Sequence, residues 1–346
     1  MNMMMKRPEP SLDQLLERVL QRCGIGSKQD IAAVSQHLPA LPEGFHPNGD
    51  DTAAIPVSRI PAGAKPKDHD EATNGYQLLA IEGMQGKLVT EQPWFAGWCS
   101  IMVNCSDIAA MGGRPTAVVN ALWCSAESNG AQDAHLAELL RGMRDAATHL
   151  GVPIVGGHTN IRSTEANLAV SILGHANRLL SAFSAKPGQT LVAAIDHRGR
   201  FQNNSLNWNA ATMAPAERLR GDLELLPYIA EHQLADACKD ISQAGLLGTC
   251  AMLLESSGCG VELDLDQLPR PALATLEDWL CAFPSFGYLL TTDAERLPAL
   301  LRTFQQRGIQ AAALGEITDS RQLNVSWQGQ HGCFYDLEHH GLTGFT

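Results

Sequence analysis

The sequence predicts an α/β chain built from two α+β domains. Three observations carry this prediction. Apolar runs of strand length alternate with longer amphipathic segments along most of the chain. A turn signal, Lys186-Pro187-Gly188, falls near the middle and precedes a fresh apolar run. The 346 residues, 45% apolar and 18% charged, suffice for about two domains at ~150 residues each. These signals divide the chain into residues 1–177 and 178–346.

Residues 11–38 read as two short helices separated by Gly24-Ile25-Gly26-Ser27. HPNGDDTAAIPV (46–57) reads as a turn feeding a short strand, and the polar stretch 61–76 as an inserted loop. LLAIEGM (78–84) reads as a strand and residues 94–111 as a helix carrying Asp107. PTAVVNALWC (115–124) is strand-like, and residues 135–151 form an amphipathic helix stopped by Gly151. PIVGGHTN (153–160) reads as a strand entering a Gly-Gly turn, followed by a strand over 167–176. The second half reads strand, long helix, strand, helix, strand, with residues 240–257 as one helix led by Asp240. No short-period repeat or low-complexity tract appears.

The net charge of −12 argues against a nucleic-acid surface, which needs clustered Lys and Arg. It leaves room for an anionic ligand, because a bound cation inverts the local sign. Nine cysteines without a CxxC pair read as buried thiols in a reducing compartment. The opening MNMMMKRPEP lacks an apolar core of signal-peptide type, and no apolar run reaches the ~20 residues that span a bilayer. A cytoplasmic, non-membrane protein is the expectation.

Acidic side chains recur beside glycine or small residues at Gly49-Asp50-Asp51, Glu82-Gly83, Ser106-Asp107 and Asp240-Ile241-Ser242. Asp107 is the sharpest case, because a carboxylate set in an apolar helix needs a partner: a backbone group, a basic side chain or a metal. Singly, each acid also reads as a helix N-cap or a turn residue. Brought together by a fold, carboxylates from separate elements suit hard Mg²⁺, which keeps several waters and accepts phosphate oxygens. Such a cluster would hold a nucleoside triphosphate for phosphoryl transfer. Gly112-Gly113 and Gly156-Gly157 would let backbone approach a phosphate or a neighbouring chain.

The combined pattern resembles the superfamily of aminoimidazole ribonucleotide (AIR) synthase, or PurM-like proteins. Selenophosphate synthetase, thiamine-monophosphate kinase, the hydrogenase maturation dehydratase and part of FGAM synthetase belong to it. NGDDTAAI resembles the family's Asp-rich strand motif, and NCSDIAAMGGRP its Ser-Asp helix followed by Met-Gly-Gly-x-Pro. VGGHTN resembles its Gly-Gly turn, KDISQAGLLG the start of its second domain's Asp-led helix, and FPSFGYLLTT its late strand. These segments run in family order over most of residues 45–320.

The resemblance implies an N-terminal domain that pairs with a second copy into a dimeric β-barrel, with the ATP cleft near that interface. It implies ATP and Mg²⁺ as cofactors, with Asp50 or Asp51, Glu82, Asp107 and Asp240 around metal and triphosphate. Glu82 stands where relatives carry Asp. The implied chemistry is phosphoryl transfer to an oxygen of a small-molecule substrate, in an ATP-dependent ligase, cyclo-ligase or phosphotransferase. Two alternatives are a simple small-molecule kinase and a non-catalytic ATP-binding subunit that regulates a partner enzyme.

Local spelling is similar to selenophosphate synthetase at Gly156-Gly157-His158 and at Asp240–Gly248. The nucleophile positions of that enzyme, just ahead of its Lys, are occupied here by Ile25 and Ser27 before Lys28, with Cys23 offset from them. A Ser hydroxyl stays protonated at neutral pH and does not replace a thiolate. The spellings IDHRGRF and FPSFG point instead to an AIR synthase-related branch.

His158 reads either as a phosphate-orienting acid/base or as a turn histidine bonded to backbone. Lys28 reads as a γ-phosphate clamp or as an exposed helix-start lysine. Arg198 and Arg200 read as anion contacts or as solvated hairpin arginines. Asn160 and Glu165 read as partner-facing or surface residues, and His331, His339 and His340 as surface residues.

Overall fold

The computed structural model describes residues 10–43, 45–59, 75–125 and 130–345. Most of the polar insertion expected at 61–76 lies outside the described residues. Two helices come first, α1 (Leu12–Arg22) and α2 (Ile25–Ser35). A capping box fixes the start of α1: Ser11 accepts from the Gln14 N–H while the Gln14 side chain accepts from the Ser11 N–H.

The first sheet is built from β1 (Ala53–Pro56), β2 (Tyr76–Met84), β3 (Arg114–Ser125), β4 (Ile154–Ser163) and β5 (Asn167–Ala176). Its strand order is β1-β2-β5-β3-β4. Only the β3–β4 edge pair is parallel. Three helices belong to this half: α3 (Gly86–Glu91), α4 (Pro93–Ala110) and α5 (Gly130–Leu150). Strand alternation turns Leu78 and Ala80 of β2, with Leu168, Val170 and Ile172 of β5, toward buried α4. This is an open five-stranded sheet. No closed barrel is present among the described residues of the single chain; the expected barrel is one shared by two copies.

The second half continues with β6 (Thr190–Ile195), β7 (Arg200–Phe201), β8 (Asn207–Asn209), α6 (Ala216–Leu223), α7 (Leu225–Glu231), β9 (Ala237–Asp240), α8 (Gly245–Ser257) and β10 (Gly260–Asp264). It ends with α9 (Leu276–Leu280), β11 (Phe283–Pro284), β12 (Gly287–Thr292), α10 (Leu297–Gln305), β13 (Gln310–Thr318), β14 (Gln322–Trp327) and β15 (Gln330–Asp336). Seven of these strands form the order β15-β14-β10-β13-β6-β12-β9, and β11-β8-β7 form a small separate sheet.

In the seven-stranded sheet β6, β12 and β9 are buried on both faces, whereas Glu262 on β10 and Glu316 on β13 are exposed. One face shares a core with α4, α5, α6, α7 and α10, including Ile108, Ile229, Tyr288 and Phe304. The other packs on α1, α8 and α9 through Leu15, Val19, Leu253 and Trp279. Thus α1, and α2 through Ile25, pack on the second sheet although they precede the first in sequence.

Two local expectations are corrected. Residues 240–257 are not one helix: β9 ends at Asp240, a turn follows, and α8 starts at Gly245. The Ile241 N–H donates to the Gly287 carbonyl at 2.8 Å, which holds the chain against the sheet past Asp240. Gly156-Gly157 is not a turn but the middle of β4. A Cβ on Gly157 would lie 1.8 Å from Asn120 Oδ1, so close strand approach explains that glycine.

Candidate functional site

A cleft of about 1190 Å³ lies between the two halves, and Lys28, Asp50, Asp51, Glu82, Asp107 and Asp240 all line it. Its size exceeds the ~300–1,000 Å³ usual for small-molecule sites. The acids arrive on four different segments. Asp50 and Asp51 precede β1, Glu82 sits on β2, Asp107 faces inward near the end of α4, and Asp240 ends β9. The four positions singled out by their small neighbours therefore converge.

The paired aspartates divide their tasks. The Asp50 carboxylate accepts from Ser181 Oγ at 2.6 Å and the Ala182 N–H at 3.0 Å, and lies 3.0 Å from His46 Nε2. It ties the Asp-rich loop to the segment joining the halves. Asp51 accepts from the Asp240 N–H at 3.1 Å and pairs with the Lys239 ammonium. Both side chains of that pair are 6% exposed.

Asp107 has no such partner. It is 6% exposed, and its Oδ2 is a buried atom without a hydrogen bond. Burial, and then the charges of Asp240, Glu82 and Asp51, push its carboxyl well above the usual range. Burial and the Asp51 charge push Asp240 up to about 8, with Lys239 and Lys28 opposing. Burial also raises Glu82, which the Lys28 charge offsets in part. Burial alone would lower Lys239, but the charges of Asp51 and Asp50 outweigh it and hold the ammonium protonated. Asp51, Glu82, Asp107 and Asp240 thus face Lys28 and Lys239 in a poorly solvated space, an arrangement that costs stability unless the charges are matched.

The acids form an open ring rather than a closed cage. Among the described residues, the only three or more acids, histidines or cysteines whose ligand atoms all lie within 4.8 Å are Asp336, Glu338 and His339 at the surface. An open carboxylate ring with an unpaired buried oxygen suits a hard cation that completes its shell with water and phosphate oxygens.

The remaining candidates fall elsewhere. His158 stands on edge strand β4, its ring centroid 6.2 Å from that of Trp123, outside the cleft lining. Gly156 and Gly157 share that strand, with Asn160. Gly112 and Gly113 are packing positions: Gly112 has φ +74°, and a Cβ there would lie 2.6 Å from the Ala230 Cβ. A Cβ on Gly113 would lie 2.3 Å from Leu78 Cδ1.

Arg198 does not await an anion. It pairs with Asp196 at 2.7 Å and Asp222 at 2.9 Å and donates to the Arg307 carbonyl, which stitches the second half internally. Arg200 is exposed on β7, away from the cleft lining. His331, His339 and His340 are exposed, as expected.

Sequence reasoning missed Lys239 as a site residue. Its signal was a lysine between the apolar Ala237-Cys238 and Asp240, in a strand buried at every position.

The model of the AIR synthase related protein N-terminal domain matches residues 49–176, and that of the C-terminal domain matches residues 187–328. Uncharacterized protein sll0787 of Synechocystis is 43% identical over 340 residues, covering 97% of this chain and 99% of that one. Thiamine-monophosphate kinase of Halobacterium salinarum is 31% identical over 183 residues, covering 50% of this chain and 58% of the kinase. The solved structure of AaThiL complexed with AMPPCP and TMP shares the fold, with a TM-score of 0.62 at 16% identity, covering 95% of this chain and 100% of that one. The chain belongs to the AIR synthase-related family within the PurM-like superfamily.

Proposed function

We propose that this protein is an ATP- and Mg²⁺-dependent enzyme that transfers the γ-phosphoryl group to an oxygen of a small-molecule substrate. The observation that carries the reading is the unpartnered Asp107 Oδ2, buried in the cleft lining with Glu82, Asp51 and Asp240. A buried acid cluster of this kind costs stability unless cations neutralise it. Asp51, Glu82, Asp107 and Asp240 would hold the metal, while Asp50, already bonded on both oxygens, shapes the loop. Bound Mg²⁺ would supply charge neutralisation on the phosphate oxygens.

The chain's own residues do the rest. Lys28, on α2 at the cleft wall, lowers Glu82 and Asp240 by its charge and would meet a phosphate oxygen. Burial pushes the Asp51 carboxyl up, and the Lys239 ammonium opposes that shift and fixes the side chain. Positioning and preorganised charge would provide most of the rate gain. The kinase form of this reading draws support from the thiamine-monophosphate kinase relative and from the nucleotide analogue in AaThiL.

The test is calorimetric titration of ATP with and without Mg²⁺, followed by ADP release across small carboxylate, amide and alcohol substrates. Binding that requires Mg²⁺, with substrate-dependent ADP release, is the expected result. Absence of Mg²⁺-dependent binding would overturn it.

The working unit in this reading is a homodimer. Leu79, Ile81, Val119 and Leu173 lie exposed on the outer face of the five-stranded sheet, and edge strand β4 exposes Val155 and Ile161. An apolar sheet face of this kind marks an association surface. His158, paired in register with Ala121, lies on the same outer face and would sit near the partner. Ile81 is 68% exposed, and Ile81→Arg is expected to halve the mass measured by light scattering. A wild-type monomer would remove the dimer from the proposal.

A further inference from the structure

Cys23 and Cys281 are far apart in sequence and meet beside the cleft. Cys23 closes α1, its N–H donating to the Val19 carbonyl at 2.9 Å. Cys281 closes α9, its N–H donating to the Glu277 carbonyl at 3.2 Å. Both are buried, 7% and 1% exposed. The two converge on Gly245: a Cβ added there would lie 3.1 Å from Cys23 Sγ and 3.0 Å from the Cys281 Cα. Ion pairs on the preceding turns hold the helix ends together. Arg22 bridges Glu277 and Asp278, the latter at 2.7 Å, and Arg18 reaches Glu277 at 3.6 Å.

The pair is chemically divided. The two thiols interact directly, and this interaction, with the Arg22 charge, lowers Cys281 below the usual thiol range against its burial and the charges of Glu277 and Asp278. The same interaction, with burial, raises Cys23. All seven other cysteines are raised, with burial the leading cause in each. Access exists from two sides. Cys281 lines the main cleft, and Cys23 lines a separate cavity of about 480 Å³ beside Gly24, Gly26 and Tyr335. A thiol lowered by a neighbouring cation, with a second thiol beside it, is the arrangement of a redox-active pair.

We propose that Cys23 and Cys281 are a reversible dithiol–disulfide site whose oxidant is a small peroxide. The Cys281 thiolate attacks one peroxide oxygen and the O–O bond breaks. The departing hydroxide takes up the proton that Cys281 released and leaves as water, with Cys281 now a sulfenic acid. The Cys23 sulfur then attacks the Cys281 sulfur. The S–S bond forms, the S–O bond breaks, and the hydroxyl leaves as a second water with the Cys23 proton. Two electrons pass from the two sulfurs to the two peroxide oxygens, and a small thiol returns them by exchange. The cross-link ties the turn before α2, already bonded from the Gly24 N–H to the Gln243 carbonyl at 3.0 Å, to the end of α9. It therefore fixes the wall that carries Lys28.

The test treats the folded, full-length protein with stoichiometric hydrogen peroxide near pH 7, blocks free thiols and maps peptides without reduction. The expected result is one dominant Cys23–Cys281 linked peptide, a loss of two of the nine titratable thiols, and recovery of both with dithiothreitol. In Cys281→Ser, Cys23 is expected to remain a free thiol under the same treatment. A disulfide elsewhere, sulfinic acid on Cys281 with Cys23 untouched, or no change in thiol count would overturn the assignment. None of these readouts depends on ATP binding.

Discussion

Asp107→Asn is expected to abolish Mg²⁺-dependent ATP binding and, in the same protein, to raise the melting temperature measured in EDTA. The two effects have one cause. In the metal-free protein the Asp107 carboxyl is desolvated, has one oxygen without a partner and faces Asp240, Glu82 and Asp51. Asparagine keeps the shape, removes the charge and supplies two donors to acceptor-rich surroundings. Relief of an unsatisfied buried group is worth about 1–3 kcal/mol.

The pH dependence follows from the same shifts. The folded-state values of Asp107 and Asp240 are raised, the latter to about 8, so the folded chain holds protons that the unfolded chain gives up. Stability then falls as pH rises between the ordinary carboxylate range and about 8. Melting curves of the wild type in EDTA should therefore move down between pH 5.5 and 8, and those of Asp107→Asn by less. Mg²⁺ and ATP bound as proposed would hold the acids ionised, and the wild-type trend should flatten or reverse. Retained Mg²⁺-dependent binding, or a lower melting temperature in EDTA, would remove Asp107 from the cluster.

The convergence of Asp107 and Glu82 on the cleft was foreshadowed by informative local context: a carboxylate inside an apolar helix, and one beside a glycine in a strand. Each demands a partner before any fold is known. The partition between Asp50 and Asp51 was not legible, because it rests on Ser181 and Ala182 across the chain and on Lys239. Residues 240–257 read as helix since small and apolar residues fit that period, whereas pairing of β9 with β12 decides that Asp240 ends a strand. The Gly-Gly of β4 read as a turn since its reason, close approach to Asn120, is a tertiary fact. Turn signals mark linkers and not packing, so the sequence did not reveal that α1 docks on the second sheet.

Lys239→Met is expected to destabilise the protein by about 3–5 kcal/mol, the usual cost of breaking a buried ion pair from one side. Lys239 is 4% exposed in β9, and methionine matches its length without its charge. The loss leaves Asp51 beside Asp50 and Asp240 with its principal cation gone. Asp51 also accepts from the Asp240 N–H, so the position of the β9 end depends on the same carboxylate. A double-mutant cycle separates the ion pair from simple packing damage. Asp51→Asn combined with Lys239→Met should cost clearly less than the sum of the single changes, because neither charge is then stranded. Urea unfolding of the four proteins in EDTA, with unchanged slopes, measures this coupling. Additive costs would mean that the two side chains act independently, and that Lys239 stabilises β9 by packing rather than by holding Asp51.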